Sequence, residues 1–106
     1  MSKAKRSKLE IIKEILGAIL LNRKIVPTRL MYKSNLSPLM FKEYTNKLIE
    51  KDLIKKTIIL KGEIMDGKKV KCDKSFFNLT ELGREYLEDY KAVQMFLEKY
   101  GLNEEE

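Results

Sequence analysis

Hydrophobic positions along the chain switch from a helical period to a strand-like one and back. Each switch falls on a residue that caps, turns or breaks the backbone. Leu9, Ile12, Leu16, Ile19 and Leu20 recur mostly at three- and four-residue steps and predict one apolar side of a helix. Ser7-Lys8-Leu9-Glu10 has the capping-box spacing, in which the hydroxyl and the carboxylate satisfy otherwise free backbone N–H groups, so this helix is expected from Ser7 to about Asn22. Ile25-Val26 before Pro27 is long enough only for a bridging strand. Pro27 fixes φ and Thr28 offers a capping hydroxyl, which predicts a short helix from Thr28 to about Ser34 containing Leu30 and Met31. Asn35 tolerates the left-handed conformation that ends such a helix. Ser37-Pro38, an N-cap followed by proline at the first helical position, starts a third helix that runs to about Lys51. Met40, Tyr44 and Leu48 recur every four residues with Phe41 beside them and predict the core side, leaving Leu39, Lys42, Glu43, Asn46 and Glu50 on the outer side.

Beyond this helix the residue types change. Leu53 to Lys61 is rich in β-branched residues, Lys68 to Leu79 is a second strand-like run, and Asp66-Gly67 lies between them. That dipeptide signals a hairpin, because a tight two-residue turn needs positive φ at both central positions. Phe76 and Phe77 on the second strand must face opposite sides, so at least one is expected in the core. Thr80 then caps a last helix running from Glu81 to about Tyr100, and Gly101 ends it. Tyr86, Tyr90, Val93, Leu97 and Tyr100 are spaced four, three, four and three, which is a heptad seam, and Leu79 and Gly83 extend its phase backwards.

Charge divides the chain. Residues 1–78 hold 19 Lys and Arg against 8 Asp and Glu, a surplus of +11, whereas residues 79–106 hold 3 against 8, a deficit of −5. A basic body attracts polyanions by neutralising phosphates and releasing their counterions, and an acidic segment is repelled by the same backbone. The expected division is therefore residues 1–80 as a nucleic-acid-binding body with a basic N-terminal arm, 81–101 as a helix for pairing two copies, and 102–106 as an acidic tail.

The composition excludes several classes of function. The chain has 106 residues, enough for one core. No apolar run reaches the roughly 18 residues needed to span a bilayer, and the N-terminus lacks a signal-peptide pattern, so a cytoplasmic, nucleoid-associated location is expected. Asn78-Leu79-Thr80 fits the glycosylation pattern, but that modification needs secretion. The one cysteine, Cys72, has no partner for an internal disulfide, and with no histidine in the chain no zinc spacing is present. There is no glycine-rich phosphate loop and no nucleophile with a recognisable base. Neither enzymatic activity, nor a cofactor, nor a small-molecule substrate is expected.

The element order is helix, short strand, helix, turn, helix, hairpin, helix. It predicts an α+β fold of the winged helix-turn-helix type, a three-helix core with a β-hairpin wing, extended by a C-terminal dimerisation helix. Specific stretches sharpen the expectation. Lys5-Arg6-Ser7-Lys8-Leu9-Glu10-Ile11-Ile12, Thr28-Arg29-Leu30-Met31-Tyr32, Asn35-Leu36-Ser37, Tyr44 with Leu48, and Leu79-Thr80 with Gly83 and Leu87 make the chain, to about residue 90, resemble the archaeal ArnR-like winged-helix family. Within that group it is similar to the ten-kilodalton archaeal chromatin-associated proteins. The resemblance implies double-stranded DNA as ligand and a homodimer joined by an antiparallel coiled coil of the last helices. The hairpin here is longer than that family's usual wing and the last helix shorter.

The residues themselves suggest roles. Lys42 suits a phosphate or a guanine edge, Asn46 a bidentate contact with adenine, and Ser37 with the free N–H groups behind it a phosphate. Glu43 opposes phosphate but can accept a hydrogen bond from cytosine or pair with Lys47. Arg29 and Lys33, the arm residues Lys5, Arg6 and Lys8, and the hairpin lysines Lys61, Lys68, Lys69 and Lys71 are candidate backbone contacts. Tyr86, Tyr90, Val93, Leu97 and Tyr100 are the candidate dimer seam. Two other readings stay open: a winged-helix module that docks proteins in a transcription assembly, and a last helix that packs back on its own body.

Overall fold

The computed structural model describes residues 6–101. Four helices, α1 (Lys8–Asn22), α2 (Pro27–Ser34), α3 (Pro38–Glu50) and α4 (Glu81–Lys99), accompany five strands, β1 (Lys24–Ile25), β2 (Ile54–Ile59), β3 (Ile64–Met65), β4 (Lys68–Lys69) and β5 (Lys74–Leu79). The main sheet is antiparallel in the order β1-β5-β2, with Ile25 opposite Phe77 and Ile54 opposite Leu79. Lys5, assigned to the basic arm, and the acidic tail 102–106 lie outside the described residues.

Local signals place most element ends. The Ser7 hydroxyl accepts from the Glu10 N–H at 3.1 Å and the Glu10 carboxylate accepts from the Ser7 N–H at 3.0 Å, completing the capping box. Asn35 takes the left-handed conformation (φ 55°, ψ 49°) and ends α2. Ser37 Oγ accepts from the Met40 N–H at 3.3 Å at the head of α3. The head of α2 differs from expectation. The helix begins at Pro27 with Val26 as its cap, and no side chain caps it, because proline at the first position has no N–H to satisfy and carries the required φ.

The core is formed by Ile11, Ile15, Leu16 and Ile19 of α1 with Ile25, Leu30, Leu36, Leu48, Ile54 and Phe77. Two helix phases differ from the sequence reading. Leu9 is 58% and Leu20 46% exposed while Ile11 and Ile15 are buried, because α1 is apolar on more than one side and only packing selects the inner one. In α3 the inner side is Phe41, Tyr44, Thr45 and Leu48, whereas Met40 is exposed. Thr45 is buried with its hydroxyl satisfied, since it donates to the Phe41 carbonyl at 2.8 Å. Phe77 meets Phe41 edge-on at 6.1 Å between ring centroids.

The wing is two ladders rather than one. Beyond the β2–β5 pairing the chain bends, and Gly62 at φ 94° supplies a conformation that side chains resist. Gly62 N–H donates to the Val70 carbonyl, Val70 N–H donates to the Glu63 carbonyl, and the Asp73 carboxylate accepts from the Lys61 N–H. Val70 is buried at this bend. The tip is the β3–β4 pair, closed by Asp66 and Gly67 at φ 54° and 77° as the turn requires.

The base of α4 is held tightly. Thr80 Oγ accepts from the Gly83 N–H at 3.1 Å and donates toward the Asp52 and Leu53 carbonyls at 2.7 and 2.9 Å. Gly83 is buried where α4 meets the α3–β2 connection, with the Leu53 carbonyl and the Leu79 side chain occupying the space a Cβ would need. Its place in the sequence-derived seam is thus taken by a contact inside one chain.

Candidate nucleic-acid interface

Helices α2 and α3, joined through Asn35, Leu36 and Ser37, form a helix-turn-helix whose inner residues are in the core and whose outer residues face solvent. On α3 the outer side presents Leu39, Lys42, Glu43, Asn46, Lys47 and Glu50, all exposed. Two cations and two anions make that face neutral, while it retains an amide, two carboxylates and, in Leu39 at 66% exposure, an apolar group at its leading turn. Such a surface is suited to base edges more than to phosphate alone. Ser37 Oγ is occupied in capping but remains exposed beside the first turn.

Cations surround this neutral face. Arg29 and Lys33 are exposed on α2, and Tyr32, 74% exposed, lies three residues after Arg29 and shares their side of the helix. Sequence reasoning had not singled out Tyr32, although its spacing from Arg29 carried the signal. Lys8 is exposed in the first turn of α1. Lys61, Lys68, Lys69 and Lys71 are all exposed on the wing, Lys68 and Lys69 opposite Met65 and Ile64 in the tip ladder. Among the described residues the ion pair present is Arg6–Glu14, so these wing and helix lysines carry no carboxylate partner there.

Arg6 is placed differently from the other candidates. Its guanidinium pairs with Glu14 of α1 and donates to the carbonyls of Ser34 and Asn35 at 3.0 and 3.1 Å. It ties the start of α1 to the end of α2 and neutralises the carbonyl end of that helix. Its charge is thus engaged within the chain, at the turn between α2 and α3.

The seam residues divide into two groups. Tyr86 is half-buried against α1, its hydroxyl donating to the Leu9 carbonyl at 3.3 Å and its ring stacked on Tyr90 at 6.3 Å. Burial, with the neighbouring Tyr90 hydroxyl second, pushes the Tyr86 phenol above its ordinary pKa. Lys13 Nζ lies 5.9 Å from the Tyr90 ring centroid, so both tyrosines face α1. Farther along, Val93 and Tyr100 are each 57% exposed, with Phe96 at 57% and Met95 at 59% beside them, and Leu97 is partly covered. Part of α4 therefore packs on its own body, and its distal half leaves apolar side chains in solvent.

Among the described residues no three His, Cys, Asp or Glu side chains are grouped to hold a metal ion, and no helix is long and apolar enough to cross a membrane. Cys72 is a free, exposed thiol on the wing.

A three-helix core, a helix-turn-helix with an exposed outer face and a lysine-rich hairpin wing define a winged-helix protein. The chain belongs to the winged helix-turn-helix family, whose pattern it matches over residues 5–98. No curated protein sequence matches it significantly. Among solved structures it is similar to Sso10a-2, a DNA-binding protein from Sulfolobus solfataricus, at a TM-score of 0.60 and 17% identity over 91% of this chain and 90% of that one. It is also similar to the PcaV transcriptional regulator from Streptomyces coelicolor (TM-score 0.58, 17% identity), covering 84% of this chain and 62% of that one. A ZitR variant from Lactococcus lactis solved in complex with DNA gives a TM-score of 0.55 at 19% identity, over 95% of this chain and 64% of that one. The chain thus spans less than two thirds of the length of those two proteins. These likenesses are of fold.

Proposed function

We propose that this protein binds double-stranded DNA as a homodimeric transcriptional regulator or chromatin-type protein. Helix α3 enters the major groove and the wing lies along the flanking backbone. The observation that carries the reading is the arrangement of charge around α3: a neutral outer face with base-reading groups, bordered on α1, α2 and the wing by exposed cations without carboxylate partners among the described residues. Lys8, Arg29, Lys33, Lys61, Lys68, Lys69 and Lys71 contact phosphate in this reading, with Ser37 at the head of α3, and Lys42 and Asn46 reach base edges. Arg6, engaged at the turn between α2 and α3, supports the site instead of touching DNA in this reading. Sso10a-2 is described as a DNA-binding protein and shares this fold over nine tenths of both chains, which supports the same ligand here and kinship with the archaeal winged-helix proteins.

Dimerisation runs through the distal half of α4. Val93, Phe96 and Tyr100, with the partly covered Leu97 among them, make an apolar stripe at helical spacing that the protomer leaves largely exposed, while Tyr86 and Tyr90 are committed to α1. The acidic charge of α4 keeps this segment away from DNA.

The test is duplex binding measured from low to moderate salt. The logarithm of affinity should fall steeply and linearly with the logarithm of salt concentration as phosphate contacts release counterions. An affinity that stays flat, or a protein that binds no duplex and is recovered in a stable protein complex after nuclease treatment, refutes the proposal.

A further inference from the structure

A cleft of about 540 Å³ lies between the end of α1, the end of β5 and the first turn of α4, lined by Leu20, Arg23, Asn78, Leu79 and Arg84. It lies at the end of β5 away from the wing. Two arginines line it, and no acidic residue does. Neither side chain has a hydrogen-bond or ion-pair partner among the described residues.

Each wall is fixed by the backbone behind it. Arg23 caps α1 at φ 66° and ψ −56°, a conformation an L-residue adopts at a cost, and its carbonyl accepts from Asn78 Nδ2 at 3.4 Å. Asn78 Oδ1 in turn accepts from the Thr57 hydroxyl at 3.2 Å, so the amide in the cleft is oriented from both ends. Arg84 rides on the α4 turn that Thr80 and Gly83 hold against the body. Leu20 and Leu79 supply apolar surface. Arg84 also belongs to an acidic helix, yet it makes no pair with Glu81, Glu85 or Glu88.

Two arginines on one cleft with no acidic residue beside them favour an anion there, and planar guanidinium groups match oxoanions by paired hydrogen bonds. We infer that this cleft binds a small oxoanion, a phosphate or carboxylate group carried on a short apolar body, with Arg23 and Arg84 as its clamps and the leucines against its apolar part. The bound anion ties α1 to the base of α4 and so sets how α4 leaves the body.

The experiment titrates the full chain with inorganic phosphate and, separately, with butyrate. It follows heat of binding together with the NMR signal of the Asn78 side-chain amide. Saturable binding by at least one probe with movement of the Asn78 signal is expected, and Arg84→Gln should weaken it by about tenfold or more. Lys91→Gln, on the same helix outside the cleft, should leave it unchanged. Absence of saturable binding by both probes overturns the inference, as does binding that Arg84→Gln does not weaken. Loss of duplex affinity in Arg84→Gln without any response to the free anions also overturns it, placing the cleft on a DNA backbone. Comparing unfolding midpoints of both variants with the parent excludes misfolding as the cause, and Arg84→Lys should recover part of the binding through charge alone.

Discussion

Replacing Gly83 with alanine is predicted to destabilise the fold although alanine is the better helix former. A Cβ at this position would sit well inside van der Waals contact distance of the Leu53 carbonyl oxygen and 2.8 Å from Leu79 Cδ1. The carbonyl cannot simply withdraw, because it accepts from the Thr80 N–H at 3.2 Å and the Thr80 hydroxyl at 2.9 Å. Overpacking of this kind costs about 1–3 kcal/mol, and weakening the two hydrogen bonds adds roughly 1 kcal/mol each. Helix propensity returns about 1 kcal/mol. The net loss is about 2–4 kcal/mol, which for a domain of this size lowers the thermal midpoint by roughly 10–20 °C. Gly17 in α1 is the internal control, since nothing lies within 4 Å of its added Cβ and alanine there should stabilise by about 0.5–1 kcal/mol. Urea and thermal unfolding followed by helical circular dichroism measure both variants. A Gly83→Ala protein as stable as the parent would refute the argument that close backbone approach fixes the base of α4.

Other variants test other parts of the molecule. Val93→Glu combined with Phe96→Glu should leave the fold intact and give a monomer with weaker duplex binding; a variant that still sediments as a dimer removes the distal stripe as the seam. Ser34 Oγ is buried without a hydrogen-bond partner among the described residues, so Ser34→Ala should stabilise by about 1 kcal/mol in denaturant unfolding, and a clear loss of stability would show an unrecognised partner. The raised Tyr86 phenol pKa implies that the folded state holds this proton more tightly than the unfolded chain. Its contribution is full below the ordinary tyrosine pKa of about 10 and is lost as pH rises through the folded value. Tyr86→Phe should reduce the alkaline fall in the unfolding midpoint, and an unchanged slope would contradict that assignment.

The features legible in the sequence are those decided within a few residues. The capping box at Ser7 and Glu10, the left-handed Asn35, the Ser37-Pro38 start and the Asp66-Gly67 turn each act locally, and the structure shows each in place. What depended on distant partners was not legible. The apolar residues of α1 outnumber one face, so choosing Ile11 and Ile15 over Leu9 and Leu20 required knowing where the sheet lies. Arg6 looked like any basic arm residue until the end of α2 was brought beside it. Gly83 fitted the heptad phase equally well as a seam residue and as a close-contact residue. For the interface, the outer side of α3 followed from periodicity, whereas its electrical neutrality became a feature once the surrounding cations proved free of carboxylate partners among the described residues.

The tight base and uncovered far end of α4 make the helix a lever arm. From Gly83 to Tyr100 it rises about 25 Å, so a tilt of about 10° at the buried glycine swings the far end by roughly 4 Å. In a dimer joined at those far ends, that swing changes the distance between the two recognition helices by more than one base-pair step. The spacing of half-sites that such a dimer can span is then governed by a few atoms around Thr80 and Gly83, far from any base.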